Sequence, residues 1–166
     1  MPDADPRDGG TDARLLLLLE RPAAALRRPG FVSGCFVSRD NATPTARNIR
    51  RFTEAAGLPR AETLIWNALP WVDDGVPMRN RAPRPDEIRA GLLWLPPLLA
   101  LLPRLEVVVL AGRAARMAEG MLRARPHLLV LAMPHPSPTI VCTSPLVRDA
   151  IMAALNQAAR TLTRAS

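Results

Sequence analysis

Short apolar runs alternate along the chain with longer stretches of mixed polarity. The apolar runs lie at Leu15–Leu19, Thr63–Trp66, Glu106–Leu110 and His127–Ala132. Runs of this length are typical of strands buried on both faces, and parallel sheets bury their strands in this way. The pattern therefore predicts a central parallel sheet of four strands.

The stretches between these runs carry the signals of helices. Thr43 followed by Pro44 predicts a helix start, and Gly57 predicts its end after Ala56. Further helices are predicted over Pro85–Leu102 with a kink at Pro96–Pro97, over Arg113–Arg123 and over Pro145–Thr161. Residues 23–42 are predicted to be mostly loop. Strands alternating with helices define the α/β class, so we predict a three-layer α/β/α fold around the four-stranded sheet.

The length of the chain, 166 residues, is sufficient for one domain with a core of ordinary size. Residues 1–12 are rich in aspartate, glycine and proline, and we expect them to form a flexible tail before a single domain over residues 13–166. No apolar run has the length that a membrane span requires. We therefore expect a cytosolic protein that makes no contact with a membrane.

Only two cysteines, Cys35 and Cys142, occur in the sequence. They are too few for a four-thiolate iron–sulfur cluster or zinc site. We expect two reduced thiols, with a disulfide as the weaker alternative, and neither a metal nor a cofactor.

The chain has a formal net charge of +7, and all of its basic side chains except histidine are arginines. A basic balance favours a polyanionic partner, and nucleic acid is favoured over a membrane because no long basic amphipathic helix stands out. An arginine-rich composition that reflects only the base composition of the genome is an equally good explanation of the charge.

Candidate functional residues follow the predicted strands. Parallel α/β sheets bind ligands at the carboxyl ends of their strands. The residues at those ends are Glu20-Arg21-Pro22, Asn67, Gly112 and His135. His135 begins the sequence His135-Pro136-Ser137-Pro138, whose prolines fix φ and remove backbone donors, so we expect a rigid loop that displays the imidazole.

Several of these segments together resemble the uracil-DNA glycosylase superfamily, from about Arg14 to the last helix. The superfamily's first motif is similar to Leu19–Ala23, its strand-end asparagine matches Asn67 in Trp66–Trp71, and its last motif matches His135–Pro138. The segments Phe36–Asn41 and Thr43–Asn48 resemble a bacterial subgroup close to the thermophile-type members. Those members carry a four-cysteine iron–sulfur cluster, for which this chain lacks the cysteines.

The resemblance implies a monomeric bacterial enzyme of base-excision repair, acting in the cytosol at the nucleoid. Such an enzyme flips uracil out of single- or double-stranded DNA and hydrolyses its N-glycosidic bond. By resemblance, Asn67 reads O4 and N3–H of uracil, and His135 donates a hydrogen bond to O2. Phe36 stacks on the uracil ring, with Phe31 as the alternative.

The resemblance also implies contacts with the DNA backbone. Ser137 would press on a phosphate, and Ile140 or Thr139 would fill the gap left by the flipped base. Gly112 and Arg113, at the start of a helix, would bind a phosphate through main-chain N–H groups. Further phosphate contacts are expected from Arg39, Arg47 and Arg79.

The first motif departs from the superfamily's pattern at the residue that activates water. Arg21 stands where related enzymes have aspartate or asparagine, and a guanidinium cannot act as a base. Ala23 likewise replaces a glycine. Asp40 or Asn41 would then position the water, or Glu20 would, or the electrostatics of the site would suffice; Asp40 is slightly favoured. Arg21 itself would lie beside the bound uracil.

Arg21 also leaves a second function open: a weak or inactive relative that binds uracil-containing or abasic DNA, with Arg21 as a charge clamp. A flavodoxin-like protein that binds a phosphate ligand is a poorer third hypothesis, because no glycine-rich loop follows the first strand. Removal of xanthine or hypoxanthine also stays open.

Overall fold

The computed structural model describes residues 2–22, 36–71 and 82–164. Ala23, Phe31, Cys35 and Arg79, which were considered above, lie outside the described residues. The strands are β1 (Asp3–Ala4), β2 (Leu15–Leu19), β3 (Phe36–Val37), β4 (Thr63–Asn67), β5 (Val107–Ala111) and β6 (Leu129–Met133). The helices are α1 (Pro44–Ala55), α2 (Pro85–Leu92), α3 (Leu95–Ala100), α4 (Gly112–Arg116), α5 (Glu119–Arg123), α6 (Pro138–Val141) and α7 (Pro145–Arg164).

The central sheet has four parallel strands in the order β4-β2-β5-β6. Strand β2 shows how the sheet is covered. Leu16 and Leu18 pack on one side, in a cluster with residues of α2–α5. Leu15 and Leu17 pack on the other, with residues of α1, α6 and α7. Both faces of the strand are therefore buried, which explains its unbroken apolar sequence and confirms the three-layer α/β/α prediction.

The predicted start and end of α1 are confirmed. Thr43 is the N-cap, and its Oγ1 accepts a hydrogen bond of 3.2 Å from the N–H of Ala46. Gly57 follows the helix with φ of +68°, a conformation that L side chains rarely adopt.

Two predicted helices are divided in the structure. In place of one kinked helix over 85–102, α2 ends at Leu92 and α3 begins at Leu95. Pro96 and Pro97 lie in the first turn of α3, where proline is tolerated, so the chain breaks before them. The predicted helix over 113–123 likewise consists of the two short helices α4 and α5.

The amino-terminal segment differs from the predicted flexible tail. Strand β1 pairs in parallel with β3, and Asp5 and Asp8 are buried. The prediction was wrong because the pairing and the burial depend on residues far along the chain, which local composition does not reveal. The same pairing makes Phe36–Val37 a strand inside the region predicted to be loop. Within the described residues, no helix is both long enough and apolar enough to cross a membrane.

Candidate functional site

The carboxyl ends of the central strands lie level with one another. Leu19 is opposite Asn67, and Ala111 is opposite Met133. Beyond Asn67, the N–H of Ala68 donates to the carbonyl of Leu19 at 2.8 Å. The residues that follow each strand therefore meet along one edge of the sheet, as the sequence predicts.

Asn67 is buried at this edge with its amide group unpaired. Asn67 is 3% exposed, and neither its Oδ1 nor its Nδ2 has a hydrogen-bond partner in the part of the chain that the structure describes. Buried polar groups nearly always have partners, because an unsatisfied group loses its hydration without compensation. A ligand that offers one donor and one acceptor would satisfy both atoms.

His135 is held as a neutral imidazole with one free donor position. The backbone N–H of Ser137 donates to its Nδ1 at 3.2 Å, so Nδ1 accepts and the proton of the neutral ring lies on Nε2. Burial lowers the pKa of His135 below its ordinary value, and the negative charge of Glu20 opposes this only in part. Nε2–H is therefore the donor that His135 can offer to a ligand at neutral pH.

The histidine loop, His135–Pro138, is also fixed by a hydrogen bond from helix α1. Asn48 Nδ2 donates to the carbonyl of Pro136 at 2.9 Å. This role of Asn48 could not be predicted, because the sequence of a helix does not reveal which distant carbonyl a half-buried polar residue contacts. The loop that displays His135 is therefore fixed by a helix as well as by its own prolines.

The exposed side of this loop contains three predicted DNA-binding residues. The hydroxyl groups of Ser137 and Thr139 are 3.1 Å apart, and Ile140 is 39% exposed on α6. The role of Ile140 as a wedge between bases stays a prediction.

Gly112 lies directly against His135. It has φ of +86°, and a Cβ atom placed on it would lie 2.9 Å from the Cβ of His135. The structure therefore gives a packing reason for this glycine. Arg113 follows it in α4 with an exposed side chain. The contact of both residues with a phosphate stays a prediction.

Glu20 and Arg21 complete the edge next to His135. The Glu20 carboxylate lies 3.5 Å from Nε of Arg21, and the two side chains are 34% and 20% exposed. Glu20 is also close enough to His135 for its charge to act on the imidazole. An acid, a guanidinium and a neutral imidazole therefore share this part of the site.

Asp40 lies in a different environment. Its Oδ2 accepts a hydrogen bond of 2.7 Å from Arg60 Nη1 and forms an ion pair of 2.8 Å with Arg7. The hydrogen bond from Arg60 is the main reason why the pKa of Asp40 lies below its usual value. Its described contacts are with arginines and Ser38, and they include neither Asn67 nor His135.

Phe36 and Asn41 flank this region. Phe36 is half-buried in β3, and its carbonyl accepts a hydrogen bond of 3.0 Å from Asn41 Nδ2. Arg39 is buried at 4% exposure and donates to Thr53 Oγ1 at 3.2 Å. The contact of Arg39 with a phosphate stays a prediction.

Among the described residues, no group of three or more histidine, cysteine, aspartate and glutamate side chains could hold a metal ion. Cys142 is an exposed free thiol.

The four-stranded parallel sheet flanked by helices defines an α/β protein. At the carboxyl edge of the sheet, the described residues include a buried amide without a described partner and a neutral imidazole. The sequence profile of the uracil DNA glycosylase superfamily matches residues 6–159, and the chain belongs to this superfamily. Its members are generally hydrolytic glycosylases of DNA repair. No curated protein is significantly similar to the chain. The resemblance of the motifs is thus confirmed at the level of the family.

Proposed function

We propose that the protein is a uracil-DNA glycosylase that flips uracil out of DNA and hydrolyses its N-glycosidic bond. The observation that carries the proposal is the buried amide of Asn67, which has no partner among the described residues. Uracil offers an acceptor at O4 beside a donor at N3, which matches Nδ2 and Oδ1 of one amide. Cytosine presents the reverse pattern and would leave both atoms of Asn67 opposed by like groups.

The histidine supports the same chemistry. When the bond between N1 and C1′ breaks, its electron pair moves onto the base, and negative charge develops on O2. A donor aimed at that oxygen stabilises the transition state more than the ground state. Nε2–H of neutral His135 is such a donor, and Ser137, Asn48 and Gly112 fix the ring before the base arrives.

Water attack on C1′ completes the reaction, and its proton needs an acceptor. The sequence alone favours Asp40, but the contacts favour Glu20. Glu20 lies near His135, whereas Asp40 is engaged by Arg60 and Arg7. We therefore place Glu20 at the water, with Arg21 as a positive charge beside the departing base.

The DNA would lie across the exposed side of the histidine loop. Ser137 and Thr139 would contact the backbone there, together with Gly112 and Arg113 at the start of α4, and Ile140 would fill the gap. The net charge of +7 favours a polyanionic substrate. We propose that the protein acts as a monomer in the cytosol, where the DNA is.

One observation favours a second function. Arg21 cannot activate water, and it lies 3.5 Å from the only carboxylate that we place at the reacting centre. A relative that binds uracil-containing or abasic DNA without cleaving it would also use the pocket of Asn67.

A cleavage assay separates the two functions. A single-stranded oligonucleotide with one uracil is incubated with the protein, and alkali then cleaves any abasic site. We expect cleavage, and a loss of about 100-fold or more in Asn67→Ala and His135→Ala, with Gln157→Ala on the exposed face of α7 as the unaffected control. Tight binding without cleavage would establish the second function, and neither binding nor cleavage would overturn both.

The same assay tests the water-positioning residue. Glu20→Gln keeps the shape of the side chain but removes the base, and we expect it to lower kcat by about 100-fold. Asp40→Asn should lower kcat much less. A larger loss in Asp40→Asn than in Glu20→Gln would return the role to Asp40.

A further inference from the structure

We propose that residues 2–8 position Phe36, the residue that the proposed function stacks on the flipped base, and that Arg60 links this amino-terminal segment to the strand and loop that carry Phe36. The inference rests on the proposed function, in which Phe36 stacks on the flipped base. It assigns Asp5 and Arg60 as positioning residues, a role that neither the motifs nor the family match gives them.

The guanidinium of Arg60 joins three carboxylates. Nη2 donates to Asp5 at 2.7 Å, Nε donates to Asp8 at 2.9 Å, and Nη1 donates to Asp40 at 2.7 Å. Asp5 and Asp8 belong to the amino-terminal segment, whereas Asp40 belongs to the loop after β3. The planar fork of an arginine fixes the directions of such bonds, so Arg60 sets the position of the segment relative to the loop.

Two of the three carboxylates are buried, which distinguishes the cluster from ordinary surface pairs. The side chains of Asp5 and Asp8 are 4% and 0% exposed, and Arg60 is 27% exposed. Surface ion pairs contribute little to stability, but removing one partner of a buried pair leaves the other charge without compensation. The cluster of Arg60, Asp5, Asp8 and Asp40 therefore favours one arrangement of the two segments over others.

A second set of bonds leads from Asp5 to the loop. The hydroxyl of Ser38 donates to the Asp5 carboxylate and accepts a hydrogen bond of 3.0 Å from the N–H of Asp40. Asp5 also accepts a hydrogen bond of 2.9 Å from the N–H of Arg7. The turn that follows β3 is thus fixed by a side chain from the start of the protein.

Phe36 receives the effect through its main chain. Strand β1 pairs with β3 so that Asp3 lies opposite Phe36, and the carbonyl of Phe36 accepts from Asn41 Nδ2. Strand β3 has only two residues and belongs to a sheet separate from the central one. The strand that pairs with Phe36 is therefore supplied by the amino-terminal segment, while the adjacent Val37 packs against the central sheet.

Asp8 of this cluster and the neighbouring Arg39 retain unsatisfied groups, which indicates that the arrangement does not serve stability alone. Within the described residues, Oδ2 of Asp8 and two nitrogens of Arg39 have no hydrogen-bond partner. Such groups cost free energy, and buried polar groups of this kind are retained in some proteins because they specify one conformation.

The first test separates positioning from general destabilisation. Asp5→Asn and Ser38→Ala are assayed on a uracil oligonucleotide well below their melting temperatures. We expect KM to rise about tenfold with a smaller change in kcat, because the stack of one base on one aromatic ring is weakened. Arg123→Gln, which removes an exposed ion pair with Glu119, is the control and should leave both constants unchanged.

A double-mutant cycle shows whether the effect passes through Phe36. In the background of Phe36→Ala, Asp5→Asn should produce no further rise in KM, because the ring that it positions is absent. Equal effects of Asp5→Asn with and without the ring would overturn the inference.

Hydrogen exchange tests the same link without any reaction. We expect faster amide exchange at residues 36–41 in Asp5→Asn than in the native protein, with α7 unchanged. Unchanged exchange at 36–41 would overturn the inference even in an active enzyme. Faster exchange in a protein that cleaves no uracil would support the positioning and overturn only the proposed function.

Discussion

Gly112 leaves room for His135. A Cβ atom on Gly112 would lie 2.9 Å from the Cβ of His135 and 3.4 Å from its Cδ2, distances that require one of the two residues to move. The contact joins the end of β5 to the loop that follows β6. The position of the imidazole therefore depends on a residue that has no side chain.

Gly112→Ala should therefore impair the site. The added methyl group displaces His135, and φ of +86° strains any L residue at this position, at a cost of about 1–3 kcal/mol. We expect kcat to fall at least tenfold and the melting temperature to decrease, as measured by the cleavage assay and thermal unfolding.

Gly120→Ala is the matched control for this change. Gly120 lies in α5 with nothing within 4 Å of an added Cβ. Alanine in a helix stabilises by roughly 0.5–1 kcal/mol relative to glycine, so the melting temperature should rise with activity unchanged. Equal losses of activity in both variants would show that the contact with His135 is unimportant.

Asn67→Leu should separate activity from stability. The substitution removes two buried polar atoms that lack partners in the described part of the chain, and each such group costs about 1–3 kcal/mol. We expect the free energy of unfolding to stay equal or to increase, as measured by denaturant titration, while cleavage of uracil falls about 100-fold or more.

Asn48→Ala provides the comparison, because the amide of Asn48 is satisfied by the carbonyl of Pro136. Asn48→Ala removes this hydrogen bond and should lower the free energy of unfolding by about 1 kcal/mol. A strong destabilisation in Asn67→Leu would contradict the proposal that only a ligand satisfies the hydrogen bonds of this amide.

The titration of His135 should depend on Glu20. Burial lowers the pKa of His135, and the charge of Glu20 opposes that effect. The neutral, active ring should therefore persist as the pH falls below about 6.5, the ordinary value for histidine. Glu20→Gln removes the opposing charge, so the pKa of His135 should fall further, which an NMR titration of the ring protons measures.

The pH dependence of the free energy of unfolding should follow from the same protonation of His135. The unfolded chain binds the proton of His135 at a higher pH than the folded chain, so stability decreases as the pH falls below the ordinary value and levels off below the folded pKa. The sequence has two histidines, and His127→Gln assigns their signals. A rise of the His135 pKa in Glu20→Gln would show that the two groups do not interact as described.

Ile140→Ala should affect duplex DNA more than single strands. A wedge compensates for unstacking only where a stacked partner exists, and single-stranded substrate has little stacking to replace. We expect kcat/KM to fall roughly tenfold on duplex DNA and less than twofold on single strands. Leu101→Ala, at an exposed leucine after α3, is the control; equal losses on both substrates would argue against a wedge.

The central sheet could be predicted from sequence because its signals are local. The unbroken apolar run Leu15–Leu19 predicts a buried strand without reference to other segments, and Thr43 and Gly57 mark the two ends of α1. The edge that unites Asn67 and His135 follows from parallel topology, which the alternation of strands and helices specifies.

The environment of Asp40 could not be predicted in this way. Its partner Arg60 lies 20 residues away, and Arg60 also binds Asp5 from the start of the chain. From composition alone, the amino-terminal residues are predicted to be polar and flexible. Contacts between charged residues distant in sequence produce no periodic pattern, so the ion pairs of Asp40, on which our proposal of Glu20 rests, could not be predicted from the sequence.

The pairing of Asp3 with Phe36 has a practical consequence for how the protein is produced. An affinity tag fused ahead of Met1 would extend from the strand that pairs with Phe36 and would disturb the position of that residue. The carbonyl of Leu162, near the end of α7, accepts a hydrogen bond from Arg14 at the amino end of β2, which is the opposite edge of the sheet. A carboxyl-terminal tag would therefore preserve the native kinetics, and an amino-terminal tag would raise KM until it is cleaved off.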